Sequence, residues 1–344
     1  EVVTNDRPRI DYTDTSDGVL LLEKAATNLF TYSQDFSNSF WLIQNLSVTL
    51  NSIISPDGTL NAAKLIEDSS NSTHRILNSS GLTVSGDVSM SVFAKKGERN
   101  WIRLTNNNIQ GAFFDLENGV IGDVISGINA KIENYGNGWY RCSISQTGVA
   151  NERLGVYTSI DGVNTTYQGN GTSGVYIFGA MLEQNSVASS YIPTQGSATT
   201  RVAETANNSG NSEVFNDSEG VLFANISGLD SNSTAKAITI NQSSTNILGF
   251  YYYQSRIDAY VKVGTNQFFK THYLDPTANV KISLKYKQND FALWINGFEV
   301  SSLVGSGITP SGLNKLSFSD LDTNDFYGKT KEIGYYDTIL TDLE

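Results

Sequence analysis

Apolar and polar residues alternate along this chain with a period of two, in runs of four to ten residues separated by Gly, Asn, Asp and Ser, which is the pattern of half-buried strands joined by tight turns. Gly138-Trp139-Tyr140-Arg141-Cys142-Ser143-Ile144 puts Tyr140, Cys142 and Ile144 on one face and Trp139, Arg141 and Ser143 on the other. Val175-Tyr176-Ile177-Phe178, set off by Gly174 and Gly179, reads as a strand buried on both faces that closes a first module. Further strands are predicted at 62–66, 74–77, 89–94, 101–105 and 153–160, with 89–94 and 101–105 joined as a hairpin around Lys95-Lys96-Gly97-Glu98. Pro56-Asp57-Gly58 is a turn, and Asn118-Gly119 and Asn296-Gly297 are hairpin turns in which both residues accept positive φ. No apolar stripe of helical period and useful length occurs. The predicted fold is all-β, two antiparallel jelly-roll sandwiches in tandem.

The boundaries follow from the same pattern. Residues 1–27, with the turn Asp17-Gly18 ahead of Val19-Leu20-Leu21-Leu22, form an extended lead-in expected to dock on the first module, which occupies 28–200. From Gln195 to Ser218 the composition turns to Gly, Ser, Thr and Asn, the mark of an exposed linker placed at 201–219. The second sandwich spans 220–344, with strands at 221–224, 237–240, 249–253, 256–263, 280–286, 291–295, 313–318 and 328–336.

Composition changes this picture in three places. The 344 residues suffice for two cores, and an aromatic fraction of 11% argues against disorder. With 23 basic against 35 acidic residues the formal charge of −12 repels a phosphate backbone, so nucleic acid is not an expected partner. A single cysteine, Cys142, excludes an internal disulfide and reads as a core residue, and no run approaches the ~18 apolar residues of a membrane helix, so insertion into a membrane is not expected. A chain that opens on Glu1 is expected to be cut from a longer one.

The usual catalytic constellations are missing from the sequence. His74, His272 and Cys142 are too few for a zinc cluster of ordinary spacing, and there is neither a phosphate-binding glycine loop before a helix nor a Gly-x-Ser-x-Gly elbow. Glycoside cleavage needs only two carboxylates, so the acidic residues leave it open. Asp320, Asp322 and Asp325 offer calcium-type oxygen ligands in one short run, but without the glycine and terminal glutamate of an EF-hand; a plain acidic turn is the alternative.

Sugar recognition uses aromatic faces against the ring and Arg, amide or carboxylate groups on the hydroxyls. In Trp101-Ile102-Arg103-Leu104-Thr105 the alternation sets Trp101 and Arg103 opposite Ile102 and Leu104, which makes them the first glycan-contacting candidates; the alternative is that Trp101 packs inside. Trp294, opposite Leu293 and Ile295, is the rival in the second module. Of Tyr251, Tyr252 and Tyr253 at least one must leave the core, and Tyr252 is the candidate, while His74 beside Arg75 is a candidate for the rim of a cleft, a satisfied surface histidine being the alternative. Trp41 is read as core, and Trp139 with Arg141, opposite Tyr140, Cys142 and Ile144, makes a similar pair ranked below Trp101.

The stretches RPRIDYTDTSDGVLLLEKAATNLFTYSQDFSNSFW, PDGTLNAAKL, KKGERNWIRL, GNGWYRCSIS, GTSGVYIFGAMLE and SSYIPTQGSATTR resemble, in this order, a jelly-roll carbohydrate-binding module common in bacteriophage tail fibres and related virion appendages. EGVLFANISGL, KQNDFALWINGFEV, LNKLSF and DFYGKTKEIGYYDTILTDLE resemble the concanavalin A-like or laminin-G-like sandwich that follows it in such proteins. The resemblance implies a non-catalytic, receptor-binding segment of a virion tail that grips cell-surface polysaccharide outside the cell, and a homotrimeric assembly. The alternatives are a fibre spacer without glycan binding and the non-catalytic part of a polysaccharide-degrading enzyme.

Overall fold

The computed structural model describes residues 8–13, 16–107, 109–147, 151–231, 234–321 and 324–340. No helix occurs among them, and the strands pair antiparallel throughout. They divide into two compact units, one formed by the described residues of 25–202 and the other by those of 8–24 with 203–340.

The first unit is a sandwich of two six-stranded sheets. One sheet runs Val120–Val124, Gly111–Asp115, Trp101–Thr105, Gly155–Ser159, Arg75–Asn78 and Trp41–Gln44; the other runs Asn129–Asn134, Trp139–Thr147, Asp87–Lys96, Gly174–Glu183, Leu60–Glu67 and Leu46–Ile54. Alternation decides which residues meet between them: Ile102, Leu104, Ala112, Phe114 and Val156 from the first pack on Met90, Val92, Cys142, Ile144 and Ile177 from the second, all without solvent exposure. The outward face of the second sheet is covered as well, because Tyr191 and Ile192 fold back over Phe93, Phe178 and Met181. Trp139 and Arg141 are buried beneath that cover, each 2% exposed.

The hairpin expected around Lys95–Glu98 is not formed. Strand Asp87–Lys96 pairs with Trp139–Thr147 and Gly174–Glu183, whereas Trp101–Thr105 pairs with Gly111–Asp115 and Gly155–Ser159 in the opposite sheet. The intervening residues form an arch held by Gly97 N–H to Arg99 O (3.1 Å) and Arg99 N–H to Gly174 O (3.0 Å). A Cβ on Gly97 would stand 2.4 Å from the Gly174 carbonyl oxygen, so glycine is needed there for close approach and not for a two-strand turn.

In the second unit a seven-stranded sheet, Ile10–Asp11, Val19–Leu22, Gly328–Tyr336, Glu219–Gly228, Val280–Lys287, Asp290–Ile295 and Phe298–Val304, faces a five-stranded one, Thr265–Tyr273, Arg256–Val263, Asn246–Tyr253, Lys236–Ser243 and Lys315–Ser317. Asn296 and Gly297 make the expected two-residue hairpin turn, with φ of 52° and 85°. Two expectations are corrected here. The lead-in belongs to this unit, not to the first: Leu20 to Leu22 pair with Gly328 to Thr330, adding strands to an otherwise open edge. The linker is corrected only in its freedom: the segment after Arg201 is exposed over most of its length but anchored on this unit, since Phe215 is 7% exposed within this core and Glu204 accepts from Arg9 at 2.6 Å and from the Glu23 amide at 2.8 Å. Its polar composition conceals the single aromatic anchor.

Candidate functional site

Because Ile102 and Leu104 fill the core of the first unit, Trp101 and Arg103 stand on the outward face of their sheet. Strand register then builds a row across that face: Phe113 beside Arg103, Arg103 beside Tyr157, Tyr157 beside Arg75, and Arg75 beside Gln44. Adjacent strands lie ~5 Å apart, so Arg75 and Arg103 flank Tyr157 with about 10 Å between their Cα atoms.

Cations and rings alternate along the row and pack on one another. The Arg103 guanidinium carbon is 5.2 Å from the Phe113 ring centroid, and that of Arg75 is 5.2 Å from the Tyr157 centroid, contacts worth on the order of 0.5–2 kcal/mol each. Arg75 also donates to the Tyr157 hydroxyl and, through Nε, to Gln44 Oε1 at 2.5 Å. Arg103 Nη2 donates to the Ile109 carbonyl oxygen at 2.7 Å. Burial pushes the Arg103 guanidinium below its ordinary pKa, partly offset by Tyr157, and it stays charged. Among the described residues Arg103 Nη1 and Arg75 Nη2 have no protein acceptor and neither guanidinium meets a carboxylate. This contrasts with Arg9, Arg99 and Arg256, each of which pairs with an Asp or Glu.

Trp101 stands beside the row, two residues along the strand from Arg103 and in register with Asp115 and Ser159. A Cβ on Gly162 would lie 2.8 Å from its Cδ2 and Cε3, and one on Gly122 would lie 2.9 Å from Cζ3, so the six-membered ring of the indole is already met by protein. Trp101 is therefore not an open stacking platform. Its Nε1–H has no acceptor among the described residues. The rim beside Arg103 is strained: Ile109, a β-branched residue 54% exposed, has φ of 62°, a conformation that sequence-neighbouring asparagines tolerate better.

The other sequence candidates do not join this face. His74 is completely buried, with Nδ1 2.6 Å from Asn45 O, Nε2 3.3 Å from Tyr167 O and its ring 4.7 Å from the Tyr167 ring, so it presents no rim to a sugar. Next to it Glu67 receives Arg99 Nε at 2.9 Å, the Tyr167 hydroxyl at 2.8 Å and the Asn170 amide at 3.0 Å, a satisfied internal network. Tyr252 is the core member of its triplet, 1% exposed and donating to Pro276 O; Tyr251 and Tyr253 are the outward pair, bound to Asp320 and Asp258. Trp294 is half-buried with Lys285 Nζ 5.7 Å from its ring, and that lysine is neutralised by Asp290 at 2.8 Å.

The acidic run is used internally. Asp320 accepts from Tyr251 OH at 2.7 Å and from the amide and side chain of Asn324 at 2.9 and 2.7 Å, which makes it the anchor of a turn. Asp325 accepts from Tyr327 OH at 3.2 Å, and Asp322 lies outside the described residues. Among the described residues no three acidic, histidine or cysteine groups converge as a metal would require.

Sequence reasoning missed Phe113, Tyr157 and Gln44. Alternation in Gly155-Val156-Tyr157-Thr158-Ser159 does put Tyr157 opposite Val156, but only strand order shows that it stands between two arginines. Gly122 and Gly162 carried a signal too, as small residues reserved for an indole.

No family model matches the chain, and no curated protein matches it. Among solved structures it is similar to the CBM40 module of the Ruminococcus gnavus IT-sialidase, with 12% identity and a TM-score of 0.32 over 40% of this chain and 90% of that one. It is similar to a SAP-like pentraxin from Limulus polyphemus, with 12% identity and a TM-score of 0.32 over 40% and 70% of the two chains. Domains LG4-5 of the mouse laminin alpha1 chain give 9% identity and a TM-score of 0.27 over 97% and 92%. At such values the likeness is one of outline and carries no residue of the site.

Proposed function

We propose that this chain is a non-catalytic carbohydrate-binding segment whose site is the outward face of the first sandwich. The observation that carries the reading is the Phe113–Arg103–Tyr157–Arg75–Gln44 row with Trp101 beside it on the Arg103 strand: a strand surface that presents hydrogen-bond donors stiffened by aromatic packing. Donors already held by their own sheet lose little entropy when a sugar arrives, which is the basis of useful affinity from a shallow surface. The setting we propose is a virion appendage of the tail-fibre kind acting outside the cell, as the sequence resemblance implies, where several copies add avidity to weak single sites. Calcium has no part in this reading.

Affinity electrophoresis of the full chain through gels containing bacterial surface polysaccharides tests it. Retardation by at least one polysaccharide, weakened by Trp101→Phe, which removes the N–H and keeps an aromatic ring, supports the site. Retardation weakened instead by Trp294→Ala and not by Trp101→Phe moves binding to the second sandwich.

One observation favours a second reading, a fibre spacer whose surfaces bury subunit contacts. The sheet-edge strand Phe298–Val304 exposes Phe298 at 75% and Val304 at 76%, an apolar edge of the kind that pairs with another chain. Mass in solution decides it: a trimer that falls apart on Phe298→Glu supports the contact, and a monomer contradicts it.

A further inference from the structure

The charge of the ligand is legible on the same face, an inference that rests on the carbohydrate reading above. The protein carries −12, yet the outward face of this sheet holds two guanidiniums that meet no carboxylate among the described residues, whereas Arg9, Arg99 and Arg256 are all neutralised. A neutral sugar needs donors but no cation, and the amides of Asn or Gln would serve it. Two cations fixed on rings, with free N–H groups turned to the surface, are instead matched to the paired oxygens of an anion. The net charge also works against holding a polyanion by diffuse attraction, so charge has to be received locally, group by group.

We infer that this face selects acidic sugars, the carboxylates of uronic-acid-type residues being received by the free N–H groups of Arg103 and Arg75 on either side of Tyr157. Arg75 is fixed by Gln44 and the Tyr157 hydroxyl, and Arg103 by Phe113 and the Ile109 carbonyl, so each guanidinium is oriented before the sugar arrives. The strained Ile109 carbonyl thereby acts as a positioning group for Arg103.

The test uses the full chain in gels containing alginate, polygalacturonate or hyaluronan, the same polymers with carboxyls reduced to alcohols, neutral laminarin, and dextran sulfate. Retardation by a carboxylated polymer and not by its reduced form is expected. Arg103→Gln and Arg75→Gln should each weaken it roughly tenfold or more while the fold is retained, with only a modest fall in the thermal transition from the lost ring contact, and Arg103→Lys, which keeps the charge without the fork, should fall between. Equal retardation by native and reduced polymer, or retardation by laminarin alone, overturns the acidic-sugar inference and leaves the carbohydrate reading standing. Dextran sulfate binding that survives both Gln variants, with no carboxylate-dependent retardation, shows general charge only and also overturns it. No retardation by any polymer overturns both.

Discussion

Gly162 leaves room for Trp101: a methyl group there would lie 2.8 Å from the ring-fusion carbon of the indole. Gly162 also has φ of +74°, so an alanine would be strained in backbone as well as crowded. Gly162→Ala is expected to cost about 1–3 kcal/mol and to shift the Trp101 N–H out of place, lowering carbohydrate affinity in the same variant. Thermal unfolding and gel retardation measured side by side check it. Unchanged stability and affinity would mean that the loop yields freely and that the indole is not held.

Glu67 sets a pH dependence. Burial works to raise its pKa, but hydrogen bonds from Arg99, Tyr167 and the Asn170 amide, with the Arg99 charge, outweigh that and hold it below the usual 4.5. A depressed carboxylate contributes stability that is fully present above its unfolded pKa and is lost as pH falls through the folded value. Wild type should therefore exceed Glu67→Gln in stability by about 2–3 kcal/mol near neutrality, less than the ~3–5 kcal/mol of a fully buried pair because Arg99 reaches solvent, and the gap should begin to narrow as pH falls below the usual 4.5 and close as pH passes the depressed folded value. Taking the difference between the two proteins removes Glu183, whose carboxyl burial pushes up and which acts with the opposite sign. A gap independent of pH would mean that shape, not charge, is what Glu67 supplies.

Arg9 ties residues far apart in sequence, pairing with Glu23 at 2.5 Å and Glu204 at 2.6 Å on side chains 12%, 6% and 7% exposed. Arg9→Ala should destabilise the second unit by about 3 kcal/mol, since it leaves Glu204 buried without its cation. Denaturant unfolding followed by hydrogen exchange should show the first unit unmoved. Loss confined to Ala25–Val202 would return the lead-in to the first sandwich.

Asp320 is expected to act as a turn anchor whether or not calcium is present. Asp320→Ala should cost about 1–2 kcal/mol through the lost Asn324 and Tyr251 hydrogen bonds, equally in calcium and in chelator. A stability loss in wild type on adding chelator, absent in the variant, would restore the metal reading.

What could be read from the sequence divides along physical lines. Strand content, the Asn296-Gly297 turn and the inward and outward sides of Trp101–Thr105 depend on neighbouring residues and were legible. Pairing partners depend on chain closure over tens to hundreds of residues, so alternation could not show that strand 101–105 leaves strand 89–94 for the opposite sheet, nor that Val19–Leu22 joins Gly328–Tyr336. The site shares that division. Arg103 could be picked out, but its relation to Tyr157 and Arg75 is a matter of register, and His74 looked like a surface histidine because no local pattern marks the carbonyls of Asn45 and Tyr167 that hold it.

The most direct measurement of the central claim is protection of individual arginines from phenylglyoxal, read by peptide mass spectrometry on the full chain with and without a polysaccharide that retards it. Arg103 and Arg75 should be modified several-fold more slowly in the complex, with Arg256, which lies in the second unit against Asp258, unchanged. Bound polysaccharide that leaves the rates at Arg103 and Arg75 unaltered would contradict the assignment of carbohydrate binding to this face.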